Sequence, residues 1–459
     1  MKMMKRLLLL LVLVVVCCTL AACQKKSEPA ANTNSQQTVS AGNPDDVMIT
    51  LGTEIVTRGE YETYLATLSS YYTGYGYDVS GPDTLAMLKK YALQTGLEYA
   101  VMNLKVSELG LEMTEEEKAD AIADAKAQWD AVVADGMAYY GITEESTEEE
   151  RAATLVSVLA ELESKGYTEE GYQADALVYG AYDKVYDQVT KDVTVTDEDV
   201  VEYYNSLVET DKAIYENDAA AYEQTMYTNE LYAMYGMTEY ITGIYYKPDG
   251  YRLVTHILLA ADEELLAAYA ELQAAYEEQQ NTLEEGGEVT ETLITAEEVE
   301  NARLAILADV QPKVDEINQK LADGATFAEL ILEYTTDPGM ADEASIAAGY
   351  EVHMDSINWT IPFRDQSFTV DNIGDVTEPV VTDYGVHIIQ YVADVPGGAM
   401  ELSDEMHAYF KEMLLAGAKD EVYYATLEQW MVEATPVYSA EAQTLLAEAD
   451  AVLNADTAE

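Results

Sequence analysis

Three stretches repeat one piece of punctuation: SELGLEMTEEE (Ser107–Glu117), YYGITEES (Tyr139–Ser146) and SKGYTEEGY (Ser164–Tyr172). In each, a glycine precedes a threonine, and acids follow. Glycine closes a helix because it adopts the left-handed conformation of the last turn without strain. Threonine opens the next helix by accepting from an orphan backbone N–H, and acids favour the positive end of the helix dipole. Such spacing predicts a run of helices from Tyr61 to about Leu207, with Thr114, Thr143 and Thr168 as N-caps. VTVTDEDVVEYYNSL has the same grammar, with Thr196 as N-cap and Asp199 three residues later. Ahead of this run, VMITLGTEIVTRGEYETYL reads as two short strands turning near Gly52, then a helix opened by a Thr57–Glu60 capping box.

At Tyr251 the periodicity becomes strand-like. The chain has four histidines, and two sit inside apolar runs: His256 in YRLVTHILLA and His387 in YGVHIIQYV. A single histidine in such a run reads as a satisfied core residue. An acidic helical insert begins at Asp262, breaks at Gly286 and Gly287, and resumes behind a Thr295–Glu298 capping box. DGATFAELILEYT predicts an amphipathic helix from Thr326. Asp337 to Asp355 reads as loop, and Gly397–Gly398 as a linker. Ser403 to Glu433 reads as one long helix, and the last residues as an Ala-rich acidic helix prone to fray.

With 459 residues the chain has room for two or three domains. Its 24 basic residues against 86 acidic ones give a net charge of −62. That excludes nucleic acid as a partner, because no basic surface could displace counterions from phosphates. Tyrosine replaces phenylalanine, 36 against 4, and six Tyr with three Met fall between Met226 and Tyr246. These read either as half-buried packing with wet hydroxyls or as an adaptable apolar surface; packing is the preferred reading. No P-loop, G-x-S-x-G, H-E-x-x-H or dinucleotide glycine pattern occurs, and no His or Cys spacing offers three zinc ligands. His353 and His407 read as a loop and a helix-surface residue.

The N-terminus carries Lys2, Lys5 and Arg6, then an apolar run from Leu7 to Val16. That run is too short to span a bilayer and reads as the core of a signal peptide, residues 1–22. LAAC (Leu20–Cys23) resembles the lipobox of bacterial lipoproteins, with Cys23 as the lipidated residue. Cleavage there would also remove Cys17 and Cys18, leaving no disulfide. Residues 23–46, rich in Ser, Ala, Asn, Gln and Pro, read as a flexible tether.

Four segments in order, YRLVTHILLA, DGATFAELILEYTTD, PFRDQSF and GDVTEPVVTDYGVHIIQY, resemble the signature segments of parvulin-type peptidyl-prolyl isomerases. The resemblance implies catalytic roles for His256, Asp337 and His387, a proline pocket of Trp359, Phe363 and Phe368, and a polar group at Thr382. It departs from the family where PGMADEASIAAGY replaces a Gly-Asp-Leu-Gly turn, where Trp359 replaces a Met, and at Tyr384. Residues 47–249 and the helix from Ser403 resemble the helical chaperone lobe of PrsA- and SurA-type foldases. The implied fold is α+β. A helical chaperone lobe is built from the N- and C-terminal segments (47–249 and 396–459). Into it is inserted a parvulin-like domain (250–395, helical insert about 262–312) with a small antiparallel sheet packed by helices. The implied activity is X-Pro isomerisation without metal or cofactor. Implied partners are unfolded or partly folded exported proteins and a membrane held through lipid on Cys23, with a homodimer also compatible. The rival reading is a holdase with an inactive isomerase scaffold. A solute-binding lipoprotein would need alternating strands and helices before Tyr251, which are absent.

Overall fold

The computed structural model describes residues 42–286 and 293–455. The signal peptide, Cys23, most of the tether and Gly287 lie outside the described residues. Two compact units emerge, one running to Val195 and resuming at Glu412, the other spanning Thr196–Lys411. The expected isomerase segment 250–395 lies within the second.

In the first unit, β1 (Val47–Leu51) and β2 (Glu54–Thr57) form an antiparallel hairpin, with Gly52 at φ +60°. The Thr57–Glu60 capping box opens α1 (Arg58–Gly74). Next come α2 (Pro82–Leu109), ended by left-handed Gly110, and α3 (Glu115–Tyr139), opened by Thr114 with Glu117. Helix α4 (Glu148–Ser164) starts later than expected: its N-cap is Thr147, not Thr143. Thr147 has Glu150 three residues on and closes a reciprocal box, whereas Ser146 stands at that position after Thr143. There the Ser146 hydroxyl accepts the Thr143 N–H at 3.0 Å and the segment turns instead. Thr168 caps α5 (Glu169–Thr190) as expected.

The core of this unit is the apolar stripe of α2, including Leu88, Leu93, Leu97 and Val101, packed with Met48 and Ile49 of β1. At Gly96 a Cβ would sit 2.8 Å from Val56, so glycine there permits the close approach of β2. After the long helix α13 (Asp404–Glu433), β9 (Val437–Tyr438) pairs antiparallel with β1, adding a C-terminal strand to the N-terminal hairpin. The last helix, α14 (Ala440–Ala455), is docked over its described length. Ala442 and Ala449 are fully buried, and Glu441 and Asp450 pair with Arg58 and Lys90. Its alanines give a flat face that lets α14 lie close on α2.

The second unit begins with α6 (Asp197–Tyr215), opened by the Thr196–Asp199 box, and α7 (Ala219–Met234). β3 (Tyr246–Lys247) precedes the main strand β4 (Tyr251–Leu259). Two long helices of the insert follow, α8 (Glu263–Glu284) and α9 (Ala296–Ala322), then α10 (Phe327–Tyr334). The stretch expected as loop after Asp337 is structured: a 3-10 turn, α11 (Glu343–Ala348) and β5 (Tyr350–Val352). A three-residue strand is too short to show a period, and Gly349 (φ +62°) in front of it looks like loop chemistry. The chain continues through α12 (Ile361–Gln366), β6 (Val380–Thr382), β7 (Gly385–Val395) and β8 (Gly398–Ala399). β8 pairs with β3, so the expected Gly-Gly linker is in part a strand.

The main sheet is antiparallel throughout, in the order β5-β4-β7-β6. The insert is no appendage. Ile306, Val310, Val314 and Ile317 of α9 are buried against Ile257, Leu259 and Ile388 of the sheet. Each such side chain contributes roughly 1.5–3 kcal/mol of apolar burial. Among the described residues, no helix is long and apolar enough to cross a membrane.

Candidate functional site

The β4–β7 register opposes His256 to Ile389 and Leu258 to His387. The two histidines are thus diagonal neighbours, two positions out of register and on one face. Their rings stack at a centroid distance of 4.9 Å, and the two Nδ1 atoms lie 2.8 Å apart. Both are buried, at 2% and 5% exposure. On one side, His256 Nε2 is 2.7 Å from Asp337 Oδ2. On the other, His387 Nε2 is 2.8 Å from Thr382 Oγ1.

Asp337 is held there by the end of α10, where the Thr336 N–H donates to Leu258 O at 2.9 Å and the Leu258 N–H to Thr335 Oγ1 at 3.1 Å. Its other partners are the Gly339 N–H, 2.9 Å from Oδ1, and the Tyr350 hydroxyl, 2.8 Å from Oδ2. Burial alone would raise the Asp337 carboxyl. These donors and His256 outweigh burial and hold it below the ordinary carboxylate value.

An ionised carboxylate only accepts, so every proton in the chain has an assigned direction. His256 Nε2–H donates to Asp337, which leaves Nδ1 as the acceptor of a neutral ring. His387 Nδ1–H donates to it, and His387 Nε2 accepts the Thr382 hydroxyl. Thr382 Oγ1 in turn accepts the Tyr384 N–H at 3.2 Å. Burial pushes both histidines down, His387 to about 3 with help from neighbouring His256. Both rings are therefore neutral at physiological pH.

Phe363 of α12 covers the pair edge-on, 5.2 Å from His256 and 5.1 Å from His387, and is 3% exposed. Half-buried Trp359 stacks obliquely on Phe363 at 5.3 Å and on Tyr350 at 4.7 Å, and its Nε1–H donates to Glu351 O at 2.9 Å. Phe368 packs on the Val254, Val352, Phe363, Ile389 cluster, with the Arg252 guanidinium 4.6 Å from its ring centre. His256, His387, Asp337, Thr382, Trp359 and Phe363 thus form one contiguous group, with Phe368 at its flank. Cys23 lies outside the described residues. His353 lies apart, its Nε2–H donating to Asp249 O at 3.1 Å, and His407 sits on α13.

Two members had no place in the sequence reading. Tyr350 was hidden in the presumed loop, although YEV behind a glycine is a minimal strand signal. Glu223 of α7 gives no local signal at all. It is 4% exposed, and Oε2 accepts the Ser356 hydroxyl and the Ile357 N–H, both at 2.8 Å. Its Oε1 accepts the Tyr251 hydroxyl at 3.0 Å, so Glu223 anchors the segment leading into Trp359.

A neutral, buried imidazole pair below an aromatic roof defines a class of site, and residues 278–394 match the family model of the PPIC-type PPIASE domain. The match takes in Asp337, Trp359, Phe363 and His387, while β4 with His256 precedes it. The chain is similar to PrsA-type parvulin foldases. It is 40% identical over 86 residues to foldase protein PrsA 2 of Listeria monocytogenes, covering 18% of this chain and 28% of that protein. It is 34% identical over 86 residues to foldase protein PrsA of Oceanobacillus iheyensis, covering 18% and 27%. The matched region thus spans 28% or less of the length of these relatives. Among solved structures, PrsA from Bacillus subtilis aligns at 16% identity over 86% of this chain and 94% of its own, with a TM-score of 0.19. A SurA-like chaperone of Campylobacter jejuni aligns at 17% over 68% and 95%, with a TM-score of 0.26.

Proposed function

We propose that this chain is an extracytoplasmic foldase that isomerises X-Pro bonds in exported proteins and holds them while they fold. The observation that carries the reading is the Asp337–His256–His387–Thr382 hydrogen-bonded chain beneath Phe363. The reaction breaks no bond. A prolyl amide must twist over a barrier of about 18–20 kcal/mol, which takes tens to hundreds of seconds unaided. Catalysis needs only tighter binding of the twisted amide than of the planar one. Trp359, Phe363 and Phe368 offer an apolar grip for the pyrrolidine ring. Taking the amide out of water disfavours its planar, charge-separated resonance form. The histidines shape the floor: neutral and fixed in one tautomer each, they shuttle no proton. Lowering the barrier by about 4 kcal/mol would accelerate rotation roughly a thousandfold.

In this reading, 47–249 and 396–459 form the client-holding lobe and 250–395 the isomerase. A lipid on Cys23 holds both at the outer face of a membrane. Met226, Tyr227, Met234 and Tyr235 on and beside α7 are all exposed, which supports loosely specified contacts with apolar client segments. One observation favours the rival holdase: Pro338-Gly339-Met340 occupies the turn after Asp337 where the family carries Gly-Asp-Leu-Gly. A proline-limited refolding assay separates the two. A rate gain lost in Trp359→Ala and Phe363→Ala supports the isomerase; suppressed aggregation without any rate gain leaves the holdase.

A further inference from the structure

Tyrosines gather in the first unit with an arrangement that packing alone does not require. Helices α2, α5 and α13 line a half-open cavity of about 90 Å³. Its walls include Tyr99 from α2, Tyr179, Tyr182 and Tyr186 from α5, and Tyr423 and Tyr424 from α13. Most hydroxyls are engaged, which fixes the rings. Tyr99 and Tyr179 share a hydrogen bond at 3.1 Å, Tyr182 donates to Asn103 Oδ1 at 2.8 Å, and Tyr186 donates to Asp420 Oδ1 at 2.9 Å. What remains for a ligand is the π surface, whose faces are negative.

Two carboxylates line the same cavity, Glu98 and, at its exposed rim, Asp183; no lysine or arginine does. The Glu98 side chain makes no hydrogen bond or ion pair among the described residues. Once ionised, a half-buried carboxylate left unpaired beside tyrosine faces calls for a cation. Aromatic faces within about 6 Å attract ammonium groups, most strongly where water is excluded.

The geometry points to this cavity as a binding site for an organic ammonium ion, held by tyrosine faces and the Glu98 carboxylate. A methylated ammonium suits it best, because its weak hydration and apolar surface match walls of Tyr, Met102 and Leu427. The site lies in the first unit, so it stands whether or not the isomerase reading holds. Two sources share this chemistry: a quaternary ammonium such as choline, and a lysine side chain on a client polypeptide.

Burial pushes the Glu98 carboxyl up to about 7, and burial with Asp187 pushes Asp183 up as well. The other titratable groups lining the cavity are tyrosines from α2, α5 and α13, and burial raises Tyr99, Tyr182, Tyr186, Tyr423 and Tyr424. A cation needs Glu98 ionised, so affinity rises from about pH 6 to about pH 8.

The test is calorimetric titration of the full chain with choline and with Nα-acetyl-lysine methylamide, using 3,3-dimethylbutanol as the neutral isostere of choline. Saturable binding of either cation without binding of the isostere supports the site, and the tighter of the two names the source. Glu98→Gln and Tyr179→Leu should each weaken the cation by about tenfold. Glu98→Gln removes an unpaired carboxylate, so folding survives, which a thermal melt verifies. Equal binding of choline and its isostere, unchanged affinity in Glu98→Gln, or no saturable binding of either cation overturns the inference.

Discussion

At His387 the environment rather than the residue type sets the chemistry. Its ring takes a proton near pH 6.5 in the unfolded chain but only near about 3 when folded. Between those values the unfolded state binds more protons, so stability falls as pH drops through that window. His256 is depressed in the same direction. Asp337 works lower down: its contribution is complete above the ordinary carboxylate value of 3.8 and is lost as pH falls below it. Urea unfolding midpoints of the second unit should therefore drop between about pH 6.5 and pH 4, and His387→Gln should flatten that drop. A drop of equal size in the variant would contradict the neutral pair. Isomerase activity should meanwhile stay flat from about pH 7 to pH 8, since both rings are held below the ordinary imidazole value and stay neutral there. Much of this arrangement was legible only through the resemblance of four ordered segments, which picked out His256, Asp337 and His387; each histidine alone reads as a core residue. Tyr350 and Glu223 were not, since their partners are distant in sequence and a lone Tyr or Glu has no period.

Elements were legible where their ends carry local chemistry, and illegible where tertiary pairing makes them. Helices open at Thr57, Thr114, Thr196, Thr295 and Thr326 as the sequence predicts, and each of the five closes a capping box. The start of α4 shifted because a threonine caps best with an acid three residues on, which Thr147 has and Thr143 lacks. Thr147→Ala should cost about 1 kcal/mol in thermal or urea unfolding, and Thr143→Ala clearly less. The reverse order would return the cap to Thr143. β5 and β8 were missed for the other reason: three or two residues become strand only because β4 and β3 lie beside them. Glu223 ties α7 to the segment before Trp359, so Glu223→Ala should destabilise the second unit by roughly 2–3 kcal/mol. It should also raise KM for X-Pro peptides more than it lowers kcat, because Trp359 loses its anchored approach. A variant with native stability and KM would mean that the carboxylate is dispensable.

Across the whole molecule, a net charge of −62 disfavours compaction, and the cores that oppose it join distant parts of the chain. In the first unit, β9 and α14 return to β1 and α2, nearly the full chain length away. Removing residues 440–459 should therefore unfold or strongly destabilise that unit, read as a lost or lowered first thermal transition. An unchanged melt would mean that α14 is an ornament. In the second unit the insert supplies part of the sheet's core through α9, a role its acidic composition concealed because only one stripe is apolar. In the proposed reaction, a neutral His256–His387 pair under Phe363 and Trp359 shapes the floor on which prolyl bonds turn. The most direct measurement is NMR exchange between cis and trans forms of a short X-Pro peptide, with the full chain at neutral pH. Exchange should be accelerated by about three orders of magnitude at saturation, and the gain lost in Phe363→Ala and Trp359→Ala at retained fold. Exchange at the uncatalysed rate in the presence of the folded wild-type chain would contradict the proposed reaction.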